Sequence, residues 1–284
     1  MIPVLLRFGP ITIYSYGLMM ALGFISAELI LASECKRRDI PVGYASSLII
    51  WGAIAGLAGA RLWDVYDNFA NYARHPITII FSRSGFVWDG GFIGGAIAIY
   101  LVARHYEIGF LTSVDMAAPA ALVGQAFGRM GCLVSGDGDW GLPTRKPWGM
   151  AFPRAIVGWN AATVLKLNAK DQLVSGFYPG VRVQPTPIYE AALYVAIAVF
   201  LLWAMRKRNW APGRSFYYYL VLAGGARFLV EFWRINPRVL WGLTEYQLFS
   251  ILMMIAGIVA LILTWQTAAN TPNSTVAPEK PVKV

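Results

Sequence analysis

Histidine and cysteine are nearly missing from this 284-residue chain, at two of each. His75 and His105 fall in predicted loops, Cys35 sits beside a basic cluster and Cys132 lies in a glycine-rich block. A membrane-length apolar span keeps the cysteines out of any shared loop, which argues against a disulfide between them, and no His/Cys run has metal-ligand spacing. Charge is scarce too, at 14% of residues, and acid is scarcer than base: 15 Asp and Glu against 24 Lys and Arg. With 57% hydrophobic residues and a mean hydropathy of +0.52, this balance excludes a soluble domain.

What is there is a succession of apolar stretches near the roughly 20 residues needed to cross a bilayer. They recur at about 12–33, 45–63, 86–103, 113–132, 187–205, 215–234 and 246–265, which predicts an all-α polytopic membrane protein of about seven transmembrane helices. No basic stretch precedes the first span and no small-residue cleavage pattern follows it before Glu34-Cys35-Lys36-Arg37-Arg38, so it reads as a permanent anchor. Basic residues gather in alternate loops, at Lys36-Arg37-Arg38, Arg104, Arg206-Lys207-Arg208 with Arg214, and Lys280 with Lys283. Under the positive-inside rule these face the cytoplasm, which puts the N-terminus outside and the C-terminus inside. The net charge of +9 thus reports orientation and attraction to membrane lipids, and nothing in it asks for nucleic acid.

The expected organisation is a helical domain of residues 1–132 and 187–266, a small outer head of residues 133–186 between the fourth and fifth helices, and a disordered inner tail of residues 267–284. The head is too long for a bare loop, mixes Gly, Pro and Trp with charge, and is expected to be partly in strands. A second outer segment, Asp64 to Ser84, carries Asn68, Asn71, Tyr72 and Arg74 and reads as an arm along the interface.

The chemistry-bearing residues stand where apolar segments end. Gly128-Arg129-Met130-Gly131-Cys132 closes the fourth span and runs into a block holding Asp137, Asp139 and Gly141. Arg227, Glu231 and Arg234 follow at intervals of four and three in the sixth span, which predicts one helical face. Arginine suits phosphate, being always charged and able to donate two parallel hydrogen bonds. Arg227 with Glu231 is equally readable as a structural ion pair, whereas Arg129 has no acid within a turn upstream and points to a ligand. Tyr16-Gly17, Asp89-Gly90-Gly91 and Gln184-Pro185-Thr186-Pro187-Ile188-Tyr189-Glu190 bring further polar groups to the outer side. Taken singly, Tyr16 is readable as an interfacial belt tyrosine, Asp89 as an N-cap and Glu190 as a first-turn acid. Together they describe an outward polar cavity open to lipid.

These segments, in this order and spacing, resemble the prolipoprotein diacylglyceryl transferases over about residues 9–265. The resemblance rests on Tyr16-Gly17-Leu18-Met19, Asp89-Gly90-Gly91-Phe92-Ile93-Gly94-Gly95, Gly128-Arg129-Met130-Gly131-Cys132, Pro185-Thr186-Pro187-Ile188-Tyr189-Glu190-Ala191, and Arg227 to Arg234. It implies a bacterial inner-membrane transferase with a periplasmic head and lateral clefts, working without metal or organic cofactor. Its substrates would be phosphatidylglycerol and the lipobox cysteine of a prolipoprotein, its products a thioether-linked diacylglyceryl group and glycerol phosphate. Carried over by position, Arg129 and Arg227 would handle the phosphate, and Tyr16 would lie near the reacting lipid. Asp137 and Gly141 would match the acid and closing glycine of the signature, with one extra residue between them here. Glu231 and Arg234 match charged family positions, and Tyr189 with Glu190 belongs to the same substrate-binding set.

This chain departs from the family pattern at three places, with Asp89 and Gln184 where histidine is usual and Cys132 where asparagine is usual. Asp89 would then take the thiol proton, or no base is required there. Cys132 is either a reactive thiol beside Arg129 or a small buried hydrophobe. Two other readings use the same residues: a divergent paralogue with an altered acceptor, and a transporter or lipid-binding protein for an anionic solute. The last is weakened because no two-fold repeat is present and the polar groups collect towards one face. The charge pattern gives a direct test of orientation: a reporter fused after Val284 is expected on the cytoplasmic side, and an outside signal would break the argument.

Overall fold

The structure, a computed structural model of the chain, describes residues 2–9, 11–69, 88–160, 164, 180–208 and 210–270. Among them are seven long helices: α1 (Ser15–Arg37), α2 (Gly43–Asp67), α3 (Trp88–His105), α4 (Phe110–Ser135), α5 (Thr186–Lys207), α6 (Arg214–Glu231) and α7 (Glu245–Asn270). Five regions are long and apolar enough to cross a membrane, namely α1, α2, α4, α5 and residues Glu245–Trp265 of α7. The 18 residues of α6 carry Arg214, Arg227 and Glu231, and the 18 of α3 include four glycines, so these two fall short of that standard. Cations close several helices where the backbone dipole favours them: Lys36 and Arg37 in α1, Arg104 in α3, Arg206 and Lys207 in α5.

Two hairpins escaped the sequence reading. Strands β1 (Val4–Phe8) and β2 (Ile11–Tyr14) pair antiparallel, so the start of the first apolar stretch is strand, and the helix begins only at Ser15. Strands β3 (Arg238–Leu240) and β4 (Leu243–Thr244) pair across Trp241 and Gly242, both at positive φ (50° and 74°), the geometry that tight two-residue hairpins use.

The chain divides into two compact units. The first comprises Met1–Ala27 with Ala118–Val276. Its helical core joins three helices through small residues, Ala118 and Ala126 of α4, Ala191 and Ala198 of α5, Ala223 and Ala226 of α6, with Leu122, Tyr194 and Leu201 filling the space. The segment after α4 adds a second core of Leu133, Trp140, Phe152, Val164, Val181 and Val183, where Trp140 lies 5.1 Å from both Phe152 and Trp159, ring centre to ring centre. In this expected head the described residues hold only isolated bridges, Gly141 to Arg234 and Val183 to Pro143 and Met150. These bridges tie the block after Arg129 to the approach of α5 and the exit of α6.

The second unit comprises Glu28–Ala117 and residues outside the description. Here α2 and α3 meet through glycine: a side chain at Gly90 would strike the Gly59 carbonyl, and one at Gly94 the Ala55 carbonyl. Polar side chains pair within the unit, Tyr44 donating to Ser113 (2.6 Å), Ser46 to Glu28 (2.6 Å) and Arg37 to the buried Glu34 (2.7 Å). The proposed arm begins inside α2, which runs to Asp67, and its residues 70–84, Asn71, Tyr72 and Arg74 among them, lie outside the described residues. The helix α7 runs to Asn270, four residues into the segment expected as tail, and residues 271–284 lie outside the description.

Because a Cβ at Gly94 would sit 2.9 Å from the Ala55 carbonyl carbon and nearer still to its oxygen, Gly94→Val must push the helices apart. Thermal unfolding in detergent is expected to show a loss of about 1–3 kcal/mol, as for an overpacked core. An unchanged midpoint would contradict this packing.

Candidate active site

One buried carboxylate organises the polar residues of the first unit. Glu190 lies in the second turn of α5 with its side chain wholly shielded, and its Oε2 receives Arg129 Nε at 3.1 Å, Arg227 Nη1 at 3.2 Å and Arg234 Nη1 at 3.3 Å. Its other oxygen accepts the Tyr194 hydroxyl at 2.8 Å, one helical turn on. Glu190 is therefore no first-turn acid answering the helix dipole: it is the shared partner of three guanidiniums.

Two more carboxylates complete the cluster. Glu231, also wholly shielded, meets Arg227 Nη2 at 3.0 Å, and its Oε1 accepts from Asn236 (2.5 Å) and from Thr244 of β4 (3.0 Å). Asp139 bridges Arg129 and Arg234, its Oδ2 held by Arg129 Nη1 and its Oδ1 by Arg234 Nη2 at 2.5 Å. The Arg227 guanidinium also lies 4.6 Å from the centre of the Tyr246 ring, a cation–π contact from α7. Three arginines thus face three carboxylates, and the cluster is neutral. Arg129, expected to await a ligand for want of an acid on its own helix, finds its acids ten residues downstream and on α5.

The backbone around the cluster explains its glycines. A side chain at Gly141 would collide with the Trp233 carbonyl and lie 2.7 Å from Thr186 Cγ2, so only glycine lets this strand-like segment bridge to Arg234. Thr186 Oγ1 donates to the Asp139 carbonyl at 2.9 Å, and Gly141 N donates to the Gln184 carbonyl at 2.8 Å. The helix α6 ends at Glu231, not at residue 234, and Arg234 is delivered by the turn that follows, which is how it reaches both Glu190 and Asp139. The ring of Tyr16 lies against Gly131, where a Cβ would approach within 3.0 Å of the ring.

Asp137 and Asp139, two residues apart, have opposite surroundings. For Asp139, burial works against the charge, but Arg234 and then Arg129 outweigh it and hold the carboxyl below its ordinary range. For Asp137, burial dominates and raises it; its Oδ1 accepts from Asp139 N at 3.2 Å, and among the described residues it forms no ion pair with an arginine. Cys132 is a free, half-buried thiol beside Asp137. Cys132, Asp137 and Asp139 bring one ligand atom each to within 4.8 Å of one another, but Asp139 is committed to two arginines, so the grouping reads as one corner of the ion-pair cluster.

Tyr189 and Gln184 face elsewhere. A cleft of about 750 Å³ lies along α5 and α6, with Ala192, Leu193, Leu229 and Val230 below and Lys146, Trp148, Gln184, Tyr189 and Trp233 around it. Gln184 uses both ends of its amide there, accepting from Tyr189 (2.7 Å) and Trp148 (3.2 Å) and donating to Thr144 (3.1 Å). Because Tyr189 and Glu190 are neighbours in sequence, as are Val230 and Glu231, the cleft and the charged cluster occupy adjoining faces of the same two helices. Asp89 lies in the first turn of α3, in the other unit, and its side chain is outside the described residues.

Comparison with known proteins decides the family. The profile of the family described as "Prolipoprotein diacylglyceryl transferase" matches residues 3–263. The chain belongs to the prolipoprotein diacylglyceryl transferase family. Similar curated proteins, each named phosphatidylglycerol–prolipoprotein diacylglyceryl transferase, include one from Clostridium tetani, 32% identical over 90% of this chain and 95% of its own. Another from Geobacter sulfurreducens is 32% identical over 92% and 94%, and one from Bordetella bronchiseptica is 32% identical over 90% and 92%. Membership makes the chain a transferase of lipoprotein biosynthesis and removes any reason to read its arginines as a transporter's. The geometry also locates what the sequence reading missed. Among the described residues Asp139 meets Arg129 and Arg234, a pairing that Asp137, the acid singled out from the sequence, does not make. Tyr194 and Tyr246 were missed too, the first being one turn beyond Glu190 and the second visible only once α7 is packed.

If Glu190 is the shared counter-charge of three arginines, Glu190→Gln leaves them with excess positive charge in a shielded place. The variant is expected to lose about 3–5 kcal/mol of stability, as when one member of a buried ionic group is removed. Thermal or denaturant unfolding of the purified protein checks this, and a loss within 0.5 kcal/mol, usual for a surface change, would contradict it.

Proposed function

We propose that this protein transfers the diacylglyceryl group of phosphatidylglycerol to the lipobox cysteine of a prolipoprotein at the bacterial inner membrane. The observation that carries the reading is the position of the arginine cluster beside an apolar cleft on the same pair of helices, since the donor is itself a phosphate joined to hydrocarbon. In this reading α3 and α6 also cross the bilayer, for seven crossings in all. Residues 133–186 form a periplasmic head, the N-terminus is periplasmic, and the C-terminus is cytoplasmic.

The substrate thiol gives up its proton, and its sulfur attacks the glycerol carbon bearing the phosphate ester. The C–O bond breaks as the C–S bond forms, and glycerol phosphate departs with the electron pair. No electron acceptor enters the balance. Arg129, Arg227 and Arg234 stabilise the negative charge that grows on the departing phosphate oxygen, an effect strengthened where water is scarce. Tyr16, packed on Gly131 next to Arg129, borders the reacting lipid, and Gly141 keeps Asp139 and Arg234 in register. Asp89 is the residue proposed to accept the thiol proton in place of the usual histidine.

Purified protein, phosphatidylglycerol and a synthetic lipobox peptide, followed by mass spectrometry, test the proposal. The wild type is expected to add a diacylglyceryl mass to the peptide. Arg129→Ala is expected to lose at least about a hundredfold in rate, the scale of removing one aimed charge donor. Arg129→Lys is expected to recover little, because lysine cannot reach two carboxylates or a phosphate with a planar fork. Wild-type transfer by a folded Arg129→Ala protein would sink the assignment, and lipid binding without peptide modification would favour a relative with a changed acceptor.

A further inference from the structure

The cluster described above is already neutral, so an arriving phosphate must take the place of a carboxylate. We propose that Asp139 is that carboxylate: an internal stand-in for a phosphodiester anion, which the phosphate of the lipid donor displaces from between Arg129 and Arg234. The inference rests on the proposed reaction and assigns the phosphate position within it.

The three acids differ in their freedom to leave. The side chains of Glu190 and Glu231 have 0% exposure, each is held by two or more cationic or polar partners, and neither has water to move into. Stripping either from its arginines would strand a charge in a shielded place. The Asp139 side chain is 31% exposed, and among the described residues its ion-pair partners are Arg129 and Arg234. Its backbone is fixed independently, through Thr186 Oγ1 to its carbonyl and its own N–H to Asp137. Rotation about the side-chain bonds therefore releases the carboxylate to solvent without unmaking the loop.

What remains after that rotation matches a phosphodiester in charge and shape. Three arginines against Glu190 and Glu231 leave one net positive charge, and a phosphodiester carries one negative charge. Asp139 presents one oxygen to each of two guanidiniums, and the two non-bridging oxygens of a phosphodiester can do the same. Arg227, walled between Glu190 and Glu231 and capped by Tyr246, stays in place and backs the site through Glu190. Asp139 also guards the arginines against unwanted anions, since a ligand must compete with a tethered carboxylate at high effective concentration.

The proposal is tested by thermal unfolding of the full-length protein in detergent, titrated with dihexanoyl phosphatidylglycerol, inorganic phosphate or phosphate-free dihexanoylglycerol. Binding to the folded state raises the midpoint in proportion to occupancy. A carboxylate in place in about nine molecules of ten would weaken apparent affinity tenfold. Asp139→Asn is therefore expected to bind dihexanoyl phosphatidylglycerol about tenfold more tightly than the wild type, although its ligand-free midpoint is lower. Asp139→Ser, which also removes the charge, should show the same gain if the asparagine variant folds poorly. The response to dihexanoylglycerol should be unchanged, and a gain for inorganic phosphate alone would assign the position to free phosphate and overturn the lipid assignment. Adding Arg234→Gln to Asp139→Asn should abolish the gain, and a gain that survives would place the phosphate elsewhere. Equal or weaker phosphatidylglycerol binding by both Asp139 variants, with normal binding by the wild type, overturns the stand-in alone. A wild type that neither binds phosphatidylglycerol nor modifies the peptide overturns the proposed function together with it.

Discussion

Holding three guanidiniums within reach of one another requires a negative charge at their centre, because like charges in a shielded place repel strongly and cannot shed that repulsion into water. The Glu190 carboxylate meets this requirement for Arg129, Arg227 and Arg234 together, drawing on α4, α5 and the turn after α6. Much of the first unit is explicable as what such a contact needs. Alanines of all three helices meet in one buried core. Glycine at 141 allows the loop after α4 to lie against Trp233 and Thr186. The end of α6 at Glu231 frees Arg234 to turn inward, and the β3–β4 hairpin brings Thr244 to the second buried acid.

The cluster and the cleft use the two faces of one helix pair for opposite purposes. On α5, Glu190 and Tyr194 serve the charges while Tyr189, Ala192 and Leu193 line the cleft, and on α6 Arg227 and Glu231 stand against Leu229 and Val230 in the same way. An amphiphile has the same division of polar and apolar parts, so the arrangement suits a donor whose phosphate must be held while its chains stay in hydrocarbon. The ring of polar residues about Gln184 gives the cleft a fixed mouth, since every hydrogen-bonding atom of that amide end has a protein partner.

The glycine-rich block places two acids close in sequence in different surroundings. It sets Asp137 and Asp139 two apart with Gly138 between them at positive φ (97°), and the two acids part company in environment. Asp139 stays charged because Arg234 and Arg129 face it, whereas burial makes charging Asp137 harder. The acid that meets the arginines is Asp139, which its place in the sequence alone does not distinguish from Asp137.

Membrane character, the existence of the long helices and the identity of the arginines were legible in the sequence, because bilayer thickness and the cost of buried charge leave strong one-dimensional marks: runs near twenty residues, basic loops, and charged residues that stand out against apolar surroundings. Local chemistry also marked Glu190 and Glu231 as charged positions. Their partners were not legible. An ion pair joins residues separated by 61 positions, as Arg129 and Glu190 are, through helix packing that no local pattern encodes. The two hairpins, the early end of α6 and the inward turn of Arg234 were likewise decided by contacts made after the chain had folded. Sequence determined that the protein would enter a membrane and carry arginines there, since those outcomes depend on composition along a line. Tertiary structure decided which carboxylate each arginine meets and which of those carboxylates has solvent to move into, because both depend on distances between separate helices and on what else is packed around them.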